Sequence, residues 1–271
     1  MTLETTNDAR RVARASRAEC DDLLAYLEQL PAEGWTEQSA CADWKVYQVI
    51  SHLSSGQQIN QARLEAALRG TKPMSDDQRQ AIWDYFDSLP PDQMLPDFHK
   101  ANEDYFALVE TLSAHELGQT IPWFLGPVPV ATALTTRLNE QALHAWDVRW
   151  ARDQQATLSP AGVPELLELA LTSGGVSRLA NKEEASKVAG QRFQLLLSQP
   201  DGELVLEFQS DGVSARRGRV TDPELTARLP AEALCRMIWG RYDLAVAIDS
   251  GEAQLSKPEL AEPLKALFPG R

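Results

Sequence analysis

Glu140, His144 and Asp147 place a carboxylate, an imidazole and a second carboxylate at steps of four and three residues. Side chains so spaced stack on one side of an α-helix, within roughly 60° of one another on a wheel of about 100° per residue. Leu138, Ala145 and Val148 flank them on one side and Leu143 on the other, so the polar column is expected to face inward. A buried carboxylate beside an imidazole requires a compensating partner, and a divalent cation is the strongest available. Set beside His52, in the first quarter of the chain, these residues could make a three-ligand metal site. Three protein ligands leave one coordination position open, which suits a catalytic rather than a structural zinc.

The same spacing also describes an ordinary helix-surface pair, and a lone histidine on an amphipathic helix is often a satisfied core-edge residue. The chain carries its own control: His99 and Glu103 are also four apart but face away from the Phe98, Tyr105 and Val109 stripe, and read as solvated. Asp147 reads either as the acceptor that fixes the tautomer of a ligand imidazole or as a salt-bridge partner of Arg137 or Arg149. Gly56, one turn beyond His52, leaves space for a ligand or a close helix. Cys41 precedes a helix start, where its thiol could be acidified, but nothing in the sequence ties a histidine to it, so it reads as packed or incidental. Gly-x-Gly-x-x-Gly, Walker-type and Gly-x-Ser-x-Gly patterns are absent from the sequence.

Periodicity supplies the elements that would carry these residues. Helices are expected over Arg10 to Leu30, Asp43 to Arg69 with Asp43 as N-cap, Ser75 to Leu89, Asp97 to Leu117 and Ala131 to Arg152. The four long ones suggest a four-helix bundle, whose core commonly builds metal sites from facing helices. Between the last two, Pro122, Pro127 and Pro129 surround Trp123, Phe124 and Leu125, an expected ordered loop and apolar pocket wall. Residues 154–162 are turn-rich and read as a linker between units at 1–153 and 163–271. The second unit reads as α+β: a helix over Pro164 to Leu179, strands at Phe193 to Leu197, Glu203 to Gln209 and Val213 to Arg216, a helix over Ala231 to Trp239, a strand at Leu244 to Ile248, and a closing helix over Pro258 to Phe268. Asp211-Gly212 is the hairpin signal within it.

An apolar share of 43% and a charged share of 24% over 271 residues suit one large or two modest globular domains. The 26 basic and 39 acidic residues leave a charge of -13, which would be repelled by phosphate backbones, so a nucleic-acid partner is not expected. No apolar run approaches the roughly 20 residues of a membrane span, so no membrane partner is expected either. Cys20, Cys41 and Cys235 are scattered and odd in number, which fits a reducing, cytoplasmic location. Oligomeric state is not legible.

Two stretches resemble the signatures of a known family. Gly34-Trp35, followed by Asp43-Trp44-Lys45-Val46 leading to Val49-Ile50-Ser51-His52-Leu53, resembles the first, and the helix of Glu140, His144 and Asp147 resembles the second. The family is the mycothiol-dependent maleylpyruvate isomerases, whose N-terminal domain is a DinB-like metal-binding four-helix bundle. Ala231 to Arg241, ending in Trp239-Gly240-Arg241, resembles part of the smaller α/β domain that follows in these proteins and is similar to sterol-carrier-like folds.

The resemblance implies one zinc ion per chain on His52, Glu140 and His144, with water in the open position and the thiol of mycothiol, or a similar thiol, replacing it. It implies an enzyme whose activated thiol adds to a conjugated cis double bond, permits rotation and leaves; lasting attack on an electrophile would be S-transfer instead. A diacid substrate would need cationic clamps. Arg79 roughly matches the region of an arginine in the isomerase and is expected, with Asp147, among the catalytic residues; Arg149 and Arg241 are further candidates. The alternatives are a metal-dependent hydrolase using zinc-bound water and a non-catalytic metal-containing stress or ligand-binding protein.

Overall fold

A computed structural model describes residues 3–123, 126–172 and 175–270. The chain divides into two compact units, Met1–Gly162 and Val163–Arg271.

The first unit is built on four long helices, α1 (Leu3–Glu28), α2 (Val46–Arg69), α4 (Pro91–Val109) and α6 (Val130–Trp150), with α3 (Asp76–Asp87) packed against α2 and the short α5 (Ala114–Gly118) ahead of α6. Helix α1 runs along α6, and α2 along α4. Leu23 and Leu27 of α1, Val49, Ile50 and Leu53 of α2, Met94 and Phe98 of α4, and Ala145 and Val148 of α6 meet in one buried cluster. Val49 and Leu53 flank His52, and Ala145 and Val148 flank His144 and Asp147, so the apolar packing of α2 and α6 turns the polar column inward. Between α5 and α6, β1 (Thr120–Ile121) and β2 (Val128–Pro129) form a two-residue antiparallel ladder. Phe124 and Leu125, expected to line a pocket, lie outside the described residues.

Local chemistry moves several expected boundaries. Helix α2 starts at Val46, not Asp43, because the chain from residue 37 to 45 closes into a loop through a Gln38–Lys45 bridge; the Gln48 side chain then accepts the Lys45 N–H at 2.9 Å. Its far end is as expected, with Gly70 in the left-handed region (φ 64°). Pro91 opens α4 where a stop was expected, since at the first helical position a proline gives up no hydrogen bond. Helix α4 ends at Val109, and α5 is separate, capped by Ser113.

The second unit opens with the helices α7 (Val163–Thr172), α8 (Gly175–Leu179) and α9 (Lys182–Lys187). A five-stranded sheet follows in the order β5-β4-β3-β6-β7, from β3 (Arg192–Ser198), β4 (Gly202–Gln209), β5 (Gly212–Arg217), β6 (Leu225–Pro230) and β7 (Gln254–Leu255). All neighbours are antiparallel except β3 and β6, which pair in parallel from Phe193–Leu225 to Ser198–Pro230. The helices α10 (Ala231–Met237), α11 (Leu244–Asp249) and α12 (Ala261–Leu267) complete it. Leu244 to Ile248, expected as a strand, is helical because the Asp243 carboxylate caps the Ala245 and Val246 N–H groups at 3.1 and 3.2 Å. Among the described residues no helix is long and apolar enough to cross a membrane.

Candidate metal centre

His52 on α2 meets Glu140 and His144 on α6. Glu140 Oε2 lies 3.4 Å from His52 Nε2 and 3.7 Å from His144 Nε2, and one ligand atom from each of the three residues falls within 4.8 Å of the others. Metal bonds of 2.0–2.1 Å at tetrahedral angles put neighbouring ligand atoms about 3.3 Å apart, so the two spacings are close to those a small divalent cation would draw together. The His52 and His144 rings stand edge to face with centroids 4.9 Å apart.

Asp147, fully buried, fixes the orientation of one ligand. His144 Nδ1 is 2.8 Å from Asp147 Oδ2. A carboxylate there accepts from Nδ1–H, the tautomer that leaves the Nε2 lone pair facing Glu140 and His52. Of the two readings of Asp147 left open by the sequence, the hydrogen bond to His144 is present.

Cys41, read from sequence as incidental, belongs to the same network. Its thiol donates to Asp147 Oδ2 at 3.0 Å, and its sulfur is 3.7 Å from His144 Nδ1. Sequence spacing could not reveal this, because the partners are separated by more than a hundred positions. The loop that brings Cys41 here is tightly bound. Ser39 Oγ donates to the Trp44 carbonyl at 2.6 Å, the Gln38 amide reaches the Cys41 and Trp44 carbonyls, and the Ala40 N–H donates to the Asp147 carbonyl at 3.1 Å. The same loop sets the Trp44 ring 4.9 Å from His52 and 5.8 Å from His144, centroid to centroid, as one wall of the site.

The site is graded in exposure: the His144 side chain is 12% exposed, against 35% for His52 and 37% for Glu140. Solvent and small molecules therefore reach it over His52 and Glu140. Burial is the largest influence on Glu140 and raises its pKa, but the His52 hydrogen bond and the neighbouring His144 and Arg137 outweigh it and hold the carboxyl at about 2. Burial, the largest influence on His52, lowers its pKa, and His144 and Arg137 add to this against the opposing Glu140. An ionised carboxylate beside a neutral imidazole is the state in which both can bind a cation.

Within the first unit, the expected arginine clamps have other partners. Arg79, in the first turn of α3, forms an ion pair with Asp76 and contacts none of the three ligand candidates among the described residues. Arg149 projects from α6 towards Glu19 of α1, at 3.6 Å. Arg241 belongs to the second unit, where it donates to the Trp239 carbonyl. His99 is exposed, and Glu103 pairs with Arg17 rather than with it, as the control reading expects.

Residues 16–149 match the mycothiol maleylpyruvate isomerase N-terminal domain, and residues 169–268 match the SCP-2 sterol transfer family. A protein of Mycobacterium tuberculosis, described as uncharacterized and found in two strains, is 25% identical over 237 residues that cover 74% of this chain and 90% of that protein. Crystal structures of the mycothiol-dependent maleylpyruvate isomerase and of one of its mutants share the fold: each aligns with a TM-score of 0.62 at 16% identity, over 92% of both chains.

Proposed function

Since the chain belongs to the mycothiol maleylpyruvate isomerase family, we propose that it is a zinc-dependent enzyme that activates a low-molecular-weight thiol, mycothiol or a similar one, against a small electrophile. The observation that carries the reading is the convergence of His52 Nε2, Glu140 Oε2 and His144 Nε2 at one solvent-reached point between α2 and α6. Two neutral nitrogens and one carboxylate match the donor set of a catalytic zinc. A divalent cation held by them supplies the charge that keeps a bound thiol as thiolate near neutral pH.

The chain's own residues prepare that point. Asp147 holds the His144 proton on Nδ1, and Cys41 hydrogen-bonds the same carboxylate oxygen, so the ring is fixed from behind. Glu140 remains ionised through the physiological range. Trp44 forms an apolar wall that limits water around the reacting sulfur. In isomerisation the thiol sulfur adds to the conjugated cis double bond, rotation follows about the new single bond, and the sulfur leaves; in S-transfer it stays. Arg79, held by Asp76, has no part in this proposal.

The test is elemental analysis of the purified protein together with turnover of a cis-conjugated electrophile in the presence and absence of thiol. The expected result is one divalent cation per chain and a rate that requires both cation and thiol. Thiol-independent hydrolysis would make the protein a metal hydrolase. A cation with no associated rate across a substrate screen would make it a binding protein.

A further inference from the structure

Helix α6 carries a buried cation one turn ahead of Glu140. The Arg137 side chain is only 3% exposed and its guanidinium is held on two of its three nitrogens. Nε donates to Gln57 Oε1 at 2.5 Å, and Nη2 donates to the Leu53 carbonyl at 2.8 Å. Gln57 is held in turn by Asn102, to which its amide donates at 2.8 Å. Both partners of the guanidinium are neutral, so no carboxylate is bonded to it among the described residues. A buried guanidinium without a bonded anion is costly, and proteins seldom keep one without use.

The third nitrogen, Nη1, forms no hydrogen bond among the described residues. A Cβ on Gly56 would lie 2.8 Å from it, so Nη1 rests against α2 in the space that this glycine leaves. Gly56 is one turn beyond His52 on the same side of α2, as Arg137 is one turn before Glu140 on α6. A helical turn is about 5.4 Å. Nη1 is therefore next to the ligand cluster in the α2–α6 seam, and the Arg137 charge acts on both His52 and Glu140. The space that Gly56 leaves is filled by a cation rather than by a helix in close contact.

We propose that Arg137 is the anion-recognition residue of this site: its Nη1 binds a carboxylate of the electrophile, about one helical turn from the His52–Glu140–His144 cluster. This rests on the proposed thiol-using function for the identity of the ligand as an electrophile. Arg79, Arg149 and Arg241 each have another partner, whereas Arg137 has the position, the charge and an available N–H. Preorganisation follows from the Gln57 and Leu53 contacts, which fix the guanidinium plane before any ligand arrives.

The experiment compares binding of maleate and its dimethyl ester, which carries no carboxylate, to cation-loaded protein, without thiol, by calorimetry at low ionic strength. One variant is Arg137→Met. The other is Gln57→Glu, which gives the guanidinium an internal carboxylate and keeps the packing, at the loss of one hydrogen bond to Asn102. A charge-assisted contact of this kind is expected to favour the diacid by about tenfold or more in the wild-type protein. Both variants should lose most of that preference with cation content unchanged, and Gln57→Glu alone decides the matter if Arg137→Met does not fold. Equal binding of the two ligands by the wild-type protein overturns the proposal, as does an undiminished preference in cation-loaded Gln57→Glu. An intact preference without thiol-dependent turnover would defeat the proposed function instead, and leave the anion site standing.

Discussion

At the scale of single residues, the site is a set of protons held in particular places. Asp147 is the residue on which the arrangement turns, because one of its oxygens accepts from both His144 Nδ1 and the Cys41 thiol. Asp147→Asn keeps the shape but removes the charge that raises the basicity of the ligand ring. Loss of such a partner typically lowers metal affinity by about 10–100-fold, and competition with a calibrated chelator should show a fall of that size with secondary structure unchanged. An unaltered affinity would reduce Asp147 to a packing role. The pKa of His52 gives a second expectation, whose sign is fixed by its direction. Its folded value is lowered, so between that value and the ordinary histidine range near 6.5 the unfolded chain binds a proton that the fold does not. Cation-free protein should therefore lose stability as the pH falls below about 6.5. Thermal melts from pH 7.5 to 5, run after chelation, should show this part of the slope in the wild-type chain and not in His52→Ala. Identical slopes would mean that His52 is not held neutral. The low pKa of Glu140 acts in a more acidic window: its stabilisation is complete above its ordinary range and is lost only as the pH falls towards about 2.

At the scale of elements, the same helix that carries the ligands has a second polar seam, on its α1 side. Glu19 of α1 is fully buried and neither of its oxygens forms a hydrogen bond among the described residues; Arg149 of α6 faces it at 3.6 Å. Burial is the dominant influence and pushes the Glu19 carboxyl up, against the opposing pull of Arg149. A raised folded value means that Glu19 contributes most when protonated and loses that contribution as the pH rises. Glu19→Gln should accordingly raise the melting temperature at pH 7 by a few degrees, with the gain over wild type shrinking as the pH is lowered towards 5. A loss at pH 7 would show that the ion pair with Arg149 outweighs the desolvation. The sequence announced α1, α2 and α6 through their apolar stripes, and hence the facing of His52 against Glu140 and His144. It concealed features that depend on distant partners. Strand β6 is recognised only by its parallel pairing with β3, and the Cys41 contact exists only because the Gln38–Lys45 loop folds back onto α6. Arg137 was legible as a residue but not as a buried cation, since one-dimensional spacing does not tell which side of α6 lies against Gly56.

At the scale of the molecule, every residue assigned to the cation lies within Met1–Gly162, and so do the loop of Cys41 and Trp44, the Arg137–Gln57–Asn102 chain and the apolar cluster beneath them. That unit has its own core, formed by side chains from α1, α2, α4 and α6. The Trp146 indole N–H donates to the Ala156 carbonyl at 2.7 Å, which fastens the segment after α6 back onto the bundle and closes the unit at its end. A fragment of residues 1–162 should therefore fold cooperatively and bind one divalent cation per chain, with affinity within a few-fold of the whole protein and the same dependence on His52, Glu140 and His144. Cutting instead after residue 150 removes the Ala156 carbonyl that accepts from the indole, together with the buried Ala156 and Leu158 side chains. The shorter fragment should melt lower than the longer one while keeping the ligand residues. Calorimetry and elemental analysis on the two fragments and the full chain separate the possibilities: cation binding that needs the second unit would place part of the site's support beyond Gly162, whereas equal binding by the full chain and 1–162 would locate the whole metal centre in the helical bundle.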